Sequence, residues 1–417
     1  MVGSTYASKL TASGGAPPYT WTVVSGQLPA GVTVSTSGNI SGVPTTSGEF
    51  TFNVQATDSG ASPGVATGLV SLKVAATSSL SIQVSGNHLV NQSGQTIHLI
   101  GFNAQGSEYM CDTTNQTFEN PNTLTTAPAD MKSWGAAVNG ARIPLNEDCW
   151  LGINGVSRGG AAYQNDIIAF VNNLHASGMY AILDLHWNAA GSTKASGEQV
   201  MADYDHSIAF WQSVATAFKN DPAVIFELYN EPQALSWACW DTGGASCVYG
   251  FRIAGMEEML QAVRNVEGTG WSHPVAVGGQ HWSNDLTGWL ANRPADPANQ
   301  LIAAIHTYDD SNICPTSAGG PWNASSCADN VWGAIKAAGY PIVFTEVGDT
   351  SAGGCTYSTF LDSAYKWMDA NSDGYLPWAW GPWGCSNPSL LTDWSGTPVS
   401  TYGTGTKAHI QTLPTTY

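Results

Sequence analysis

The run Val224-Ile-Phe-Glu-Leu-Tyr-Asn-Glu-Pro232 decides how the chain is read. It opens as a continuous apolar strand and closes on Asn230-Glu231-Pro232. A strand buried on both faces has this grammar, and parallel sheets covered by helices are built from such strands. Similar runs stand on either side of it. They are Ile97–Asn103, Ala137–Pro144, Tyr180–His186, Pro274–Gly278, Leu301–His306, Pro341–Glu346 and Tyr375–Trp380. Helix-period segments lie between several of them. Asp166–Leu174 puts Ile167, Ile168, Phe170, Val171 and Leu174 on one face. Ser207–Phe218 does the same with Ile208, Trp211, Val214 and Phe218, and Tyr357–Met368 with Phe360, Leu361, Ala364 and Trp367. Eight apolar strands alternating with helices predict an α/β fold, a (β/α)8 TIM barrel. A doubly wound open sheet is the alternative, but no G-x-G-x-x-G follows any strand.

Upstream the grammar changes. Tyr19–Val24, Phe50–Ala56 and Leu69–Val74 alternate apolar and polar residues. Gly14-Gly15, Pro17-Pro18, Ser37-Gly38 and Ser47-Gly48 punctuate them as turns. No helical period occurs there, so a small all-β sandwich is expected. The run Gly14–Trp21, with Leu28–Gly31 and Ile40–Pro44, resembles the Ig-like modules that accompany secreted bacterial enzymes. That resemblance implies a fold and no activity, and a spacer role is the simpler expectation. Ala75–Ser79 reads as a linker. The expected domains are an Ig-like sandwich at 1–76 and a catalytic barrel at 77–417.

Composition narrows the function. A net charge of −18 argues against nucleic acid and anionic membranes, whose partners carry Lys/Arg clusters. No stretch has the ~18 apolar residues of a membrane span. The 17 Trp and 15 Tyr would suit sugar faces, although large cores use Trp as well. No leader is visible, and Met1 reads as a start from which any leader has been removed. Eight cysteines without C-x2-C pairs point to disulfides in an oxidising compartment, not zinc. Pairing sequence neighbours gives 111–149, 239–247, 314–327 and 355–385, that is Cys111, Cys149, Cys239, Cys247, Cys314, Cys327, Cys355 and Cys385. A secreted monomer is expected.

In a parallel barrel, function gathers where strands end. Here strand after strand ends on a polar or aromatic residue: Arg142, His186-Trp187, Asn230-Glu231, His306 with Tyr308, Glu346 and Trp380. Carboxylates and Arg are rarely buried without partners, so packing alone is a poor explanation. This ordered set resembles glycoside hydrolase family 5, the cellulases, from about residue 80 onward. Gly101-Phe-Asn103, Asp184-Leu-His-Trp187 and Trp378-Ala-Trp-Gly381 look most like bacterial endoglucanases of that family. The resemblance implies a secreted, bacterial, retaining endo-β-1,4-glucanase. Its substrate would be β-glucan, and it would need no cofactor or metal. Glu231 would be the acid/base and Glu346 the nucleophile. Arg142, His186, Asn230, His306, Tyr308 and Trp380 would bind substrate or position the carboxyls.

Two carboxyls flanking a glycosidic bond can protonate the leaving oxygen and attack the anomeric carbon, given ~5–5.5 Å between them. Trp187 and Trp282 are candidate subsite aromatics, with core packing nearly as good a reading. The alternatives are a β-mannanase or mixed-linkage β-glucanase on the same barrel, or a non-catalytic glycan-binding protein. Glu227 and Asp184 read as paired structural carboxylates. Asp309-Asp310 and Asp349 read as loop residues shaping the cleft. Asp369–Gly374 imitates the opening of a calcium loop, but Trp380 stands where the bidentate Glu is required. No H-E-x-x-H occurs.

Overall fold

The computed structural model describes residues 6–46, 48–74, 80–309, 331–350 and 355–414. The chain divides into two compact units. One comprises Met1–Ser79 together with Ala217–Asp221; the other comprises Leu80–Thr216 and Pro222–Tyr417.

The first unit holds two three-stranded antiparallel sheets. Strands β1 (Tyr6–Lys9), β3 (Val32–Val34) and β4 (Asn39–Gly42) make one, in the order β1-β4-β3. Strands β2 (Thr20–Gly26), β5 (Gly48–Thr57) and β6 (Val65–Val74) make the other, with β5 central. Alternation decides the core: Phe52, Val54 and Ala56 of β5 point inward onto Trp21, Val32 and Ile40. Gly38 passes so close to the Trp21 indole that a Cβ would clash, at 2.7 Å, and its φ of +86° suits glycine.

The second unit opens on a small antiparallel sheet of β7 (Gln83–Ser85), β8 (His88–Val90) and β9 (Thr96–Ile97). Ile82, Leu89 and Ile97 from this segment pack with Tyr180, Ile182, Ile225, Ala276, Ile302, Val343 and Leu376. They cap the N-terminal end of the barrel. The expected first strand at 97–103 is therefore shorter than its apolar run. Ile97 and Leu99 serve the cap, and the strand itself, β10, is Gly101–Asn103.

The barrel strands follow in sequence order. They are β10, β11 (Gly140–Asn146), β12 (Tyr180–Trp187), β13 (Val224–Glu227), β14 (Val275–Gly278), β15 (Leu301–Tyr308), β16 (Ile342–Gly348) and β17 (Gly374–Pro377). All neighbours are parallel. The Ile100–Tyr375 bridge brings the last strand back to the first. Gly101 lies so near the Gly140 backbone, 2.0 Å from a Cβ, that no side chain would fit. Helices on the outside include α4 (Ala161–Ala176), whose Ile167, Phe170, Val171 and Leu174 are fully buried as their spacing predicts. The fold is the expected TIM barrel, and its topology leaves no sheet edge for a doubly wound alternative. Among the described residues no helix is long and apolar enough to cross a membrane.

Three of the expected disulfides are present: Cys111–Cys149, Cys239–Cys247 and Cys355–Cys385. The pair 314–327 lies outside the described residues, as does Asp310. The Asp369–Gly374 segment ends helix α12 (Thr359–Asn371) and feeds β17. Asp369 faces His409 at 2.9 Å and Asp373 takes Lys336, so its carboxylates serve packing.

Candidate active site

Arg142, on β11, organises the bottom of the site. Its guanidinium is fully buried and touches residues from four other strands or strand ends. Nε donates to Glu227 at 2.6 Å; Nη1 donates to Glu346 at 2.7 Å and to Asn103 at 3.0 Å; Nη2 donates to Asn230 at 2.7 Å. Asp184 completes the ring at 3.0 Å. Such charge-assisted bonds are short and directional. Glu227 and Asp184 are thus paired carboxylates on β13 and β12. Glu227 also accepts from the Thr345 hydroxyl at 2.7 Å.

Glu346 stands on β16, its side chain 6% exposed. Burial raises its carboxyl, but His306, Arg142, His186 and the Tyr308 hydroxyl, 2.6 Å away, outweigh it and hold it below the usual carboxylate range. Glu231 follows β13 and keeps a 15% exposed side chain. Burial, then the negative charge of Glu346, raise it to about 8. One carboxyl is held ionised and the other holds its proton at neutral pH, the division of labour that acid and base roles require.

His306, fully buried at the end of β15, bridges the two carboxyls. Its Nδ1 is 2.8 Å from Glu231 and 3.6 Å from Glu346. The bridge bounds the gap between the carboxyls: two such contacts on one atom place the oxygens no more than about 6.4 Å apart. His186 is held differently. Its Nδ1 faces Asp184 at 2.6 Å, its ring stacks on Trp378, and Asp184 overcomes burial to raise it to about 9. These three groups, Glu231, His306 and Glu346, are close enough to share a metal ion. Arg142 already neutralises Glu346 through Oε1, and the Tyr308 hydroxyl donates to Oε2, the oxygen that faces His306.

The structure therefore brings together Arg142, His186, Asn230, Glu231, His306, Tyr308 and Glu346. Trp380 departs from expectation. It is 1% exposed and packs tilted against Phe102 and edge-on against Trp134, as part of the core. The exposed floor belongs to Trp378 instead. Trp378, Trp383, Trp187, Tyr109 and Glu198 line an open cleft of about 500 Å³ beside His186. Trp187 is thus in the cleft. Trp282 is 48% exposed in a turn with left-handed backbone, and its backbone N–H donates to the carbonyl of Pro232, next to Glu231, at 2.9 Å. Asp349 is fully buried and is no loop ornament, while Asp309 accepts from the backbone and hydroxyl of Thr350.

Glu198 was not legible as a site residue. It comes from the long loop after β12 and no strand-end pattern marks it. Its carboxyl accepts from Asn230 Nδ2 at 2.9 Å and sits within hydrogen-bond reach of Glu231. Burial and the charge of Glu231 raise it to about 7.

A family model described as cellulase, glycosyl hydrolase family 5, matches residues 90–384. An Ig-domain model matches residues 1–91. Among curated relatives, an endoglucanase of Halalkalibacter akibai is 24% identical over 73% of this chain and 35% of its own length. Endoglucanase gh5-1 of Neurospora crassa is 26% identical over 53% of this chain and 54% of its own. The chain spans about half the length, or less, of these relatives. A solved cellulase–inhibitor complex covers 81% of the chain with a TM-score of 0.60 at 19% identity, and a Streptomyces mannanase covers 82% with 0.56 at 20%. At such identity they are likenesses of fold.

Proposed function

The chain belongs to glycosyl hydrolase family 5, and on that premise we propose that it is a secreted endoglucanase that hydrolyses β-1,4-glucan with retention. The observation that carries this reading is the meeting of two carboxyls on one His306 nitrogen, Glu231 at 2.8 Å and Glu346 at 3.6 Å, with Arg142 and Tyr308 bonded to Glu346 alone of the two. Protonated Glu231 gives its proton to the leaving glycosidic oxygen while ionised Glu346 attacks the anomeric carbon. The product of that step is a glycosyl ester on Glu346. Ester formation removes the negative charge that raised Glu231. Its pKa falls, and it can then take a proton from the water that hydrolyses the ester.

Arg142 and Tyr308 hold Glu346 as the anion until attack. Asn230 is placed to meet the sugar 2-hydroxyl, and Trp378 and Trp187 offer faces to the rings. Disulfides support an extracellular setting. Relatives named endoglucanase favour glucan; a mannanase among the structural likenesses makes mannan the second reading. Reducing-end release from carboxymethylcellulose, mixed-linkage glucan and mannan tests the choice. Dominant release from mannan would overturn glucan as the substrate. A falling viscosity with mixed oligosaccharides from the glucan would mark internal cleavage; a single disaccharide from the outset would sink it.

A further inference from the structure

Beside the catalytic pair, four carboxylates meet with almost nothing to balance them. Glu147 and Asp148 open the short helix that follows β11. Asp203 and Asp205 close the loop that follows β12, and His206 comes next. Glu147, Asp148 and Asp203 are fully buried, and Asp205 is half exposed. The ion pairs of Glu147, Asp203 and Asp205 run to His206 alone among the described residues, at 3.8 to 4.0 Å. Neighbouring basic residues are spoken for: Lys194 takes Asp112 and Arg158 takes Asp166.

Donors satisfy part of the cluster. Asp148 accepts from Ala195 N and Asn154; Asp203 from Asn188 and His206 N; Asp205 from Gly191 N. Glu147 Oε2 accepts from Ser207 at 2.5 Å. Its other oxygen, Oε1, is buried with no hydrogen-bond donor and lies 3.8 Å from His206 Nδ1, which also faces the Ala189 carbonyl at 3.2 Å. A buried anionic oxygen without a donor costs on the order of several kcal/mol. The ligand atoms of Glu147, Asp148 and His206 lie within 4.8 Å of one another, and so do those of Asp203, Asp205 and His206.

We propose that these residues bind one divalent transition ion, Mn2+ or Zn2+ in chemistry, with Glu147 Oε1 and His206 as its central ligands. Three or more carboxylates with one imidazole are a mixed oxygen and nitrogen set, which those ions accept; Ca2+ and Mg2+ favour oxygen alone. The ion supplies the positive charge the cluster lacks. It also ties the helix after β11 to both ends of the loop 188–206. That loop carries Glu198 to the acid/base, so the ion is a structural clasp whose loss is felt at the site.

The experiment is metal analysis and thermal unfolding of the whole chain. Protein is stripped with 1,10-phenanthroline and EDTA, then titrated with MnCl2, ZnCl2, CaCl2 and MgCl2. One ion per chain and a rise in Tm of several degrees are expected with Mn2+ or Zn2+. Glu147→Gln should abolish the Tm response. Because that buried change alone can impair folding, His206→Gln, at a part-exposed position, is made too and should weaken binding at least tenfold in an otherwise folded enzyme. A stripped protein with unchanged Tm in all four salts overturns the site, and so does an unaltered response in His206→Gln. Response to Ca2+ alone overturns the assignment of a transition ion. The outcome is independent of glucan hydrolysis, since an inactive chain can still bind the ion.

Discussion

The barrel holds two acidic clusters, and balances them in opposite ways. Around Arg142, three carboxylates (Asp184, Glu227 and Glu346) share one fixed cation, and of their six oxygens Asp184 Oδ1 alone lacks a donor. Around His206, four carboxylates share one imidazole and Glu147 keeps an idle oxygen. Arg is always charged, so the first cluster is set at every working pH. The second must take up a proton or an ion. Fixed charge suits a site where one carboxylate must stay anionic; adjustable charge suits a clasp.

Substitutions can break this contrast. Glu346→Ala should have the largest effect, lowering kcat by at least about 10³-fold while glucan binding, measured by affinity electrophoresis, persists. Near wild-type turnover would unseat the nucleophile. Arg142→Met should follow closely, with a loss of stability of about 3–5 kcal/mol in urea unfolding, because three buried carboxylates lose their cation. An unchanged midpoint would mean the ring is held by something else.

The pH profile comes next. In the proposed reaction Glu231 acts as the acid in its protonated form, so kcat/KM should fall as pH rises through about 8. Glu346 must be ionised, so the acid limb should lie below its normal range. A hydrogen bond with Glu198 lowers the Glu231 carboxyl, so Glu198→Ala, which removes that bond, should move the alkaline limb to higher pH. A limb that stays put would remove Glu198 from the coupling. The smallest effect is expected from Asp148→Asn, which keeps its hydrogen-bonding shape: about 1 kcal/mol or less in the absence of added ion, read by thermal unfolding.

Much of this arrangement was legible in sequence. Unbroken apolar strands gave the barrel, and their polar last residues gave Arg142, His186, Asn230, Glu231, His306 and Glu346. Strand ends are readable because a parallel strand has one exit and the site lies there. Loop residues have no such rule. Glu198 and Trp378 reach the cleft through backbone paths that no periodicity encodes. Trp380 misled for the complementary reason. Side chains alternate along a strand, and past the end of β17 the chain turns, so the outward aromatic is Trp378 and Trp380 folds inward. The first strand misled because Ile97 and Leu99 are apolar for the cap beneath the barrel.

The arginine on β11 touches residues carried by β10, β12, β13 and β16, or just past their ends. Among the described residues no single disulfide does as much, since each joins only the short helices and loops that follow the strands. Reducing agents should therefore loosen the rim and leave the separation of Glu231 and Glu346 intact. An enzyme built this way can lose its rim order to a reductant and keep its chemistry.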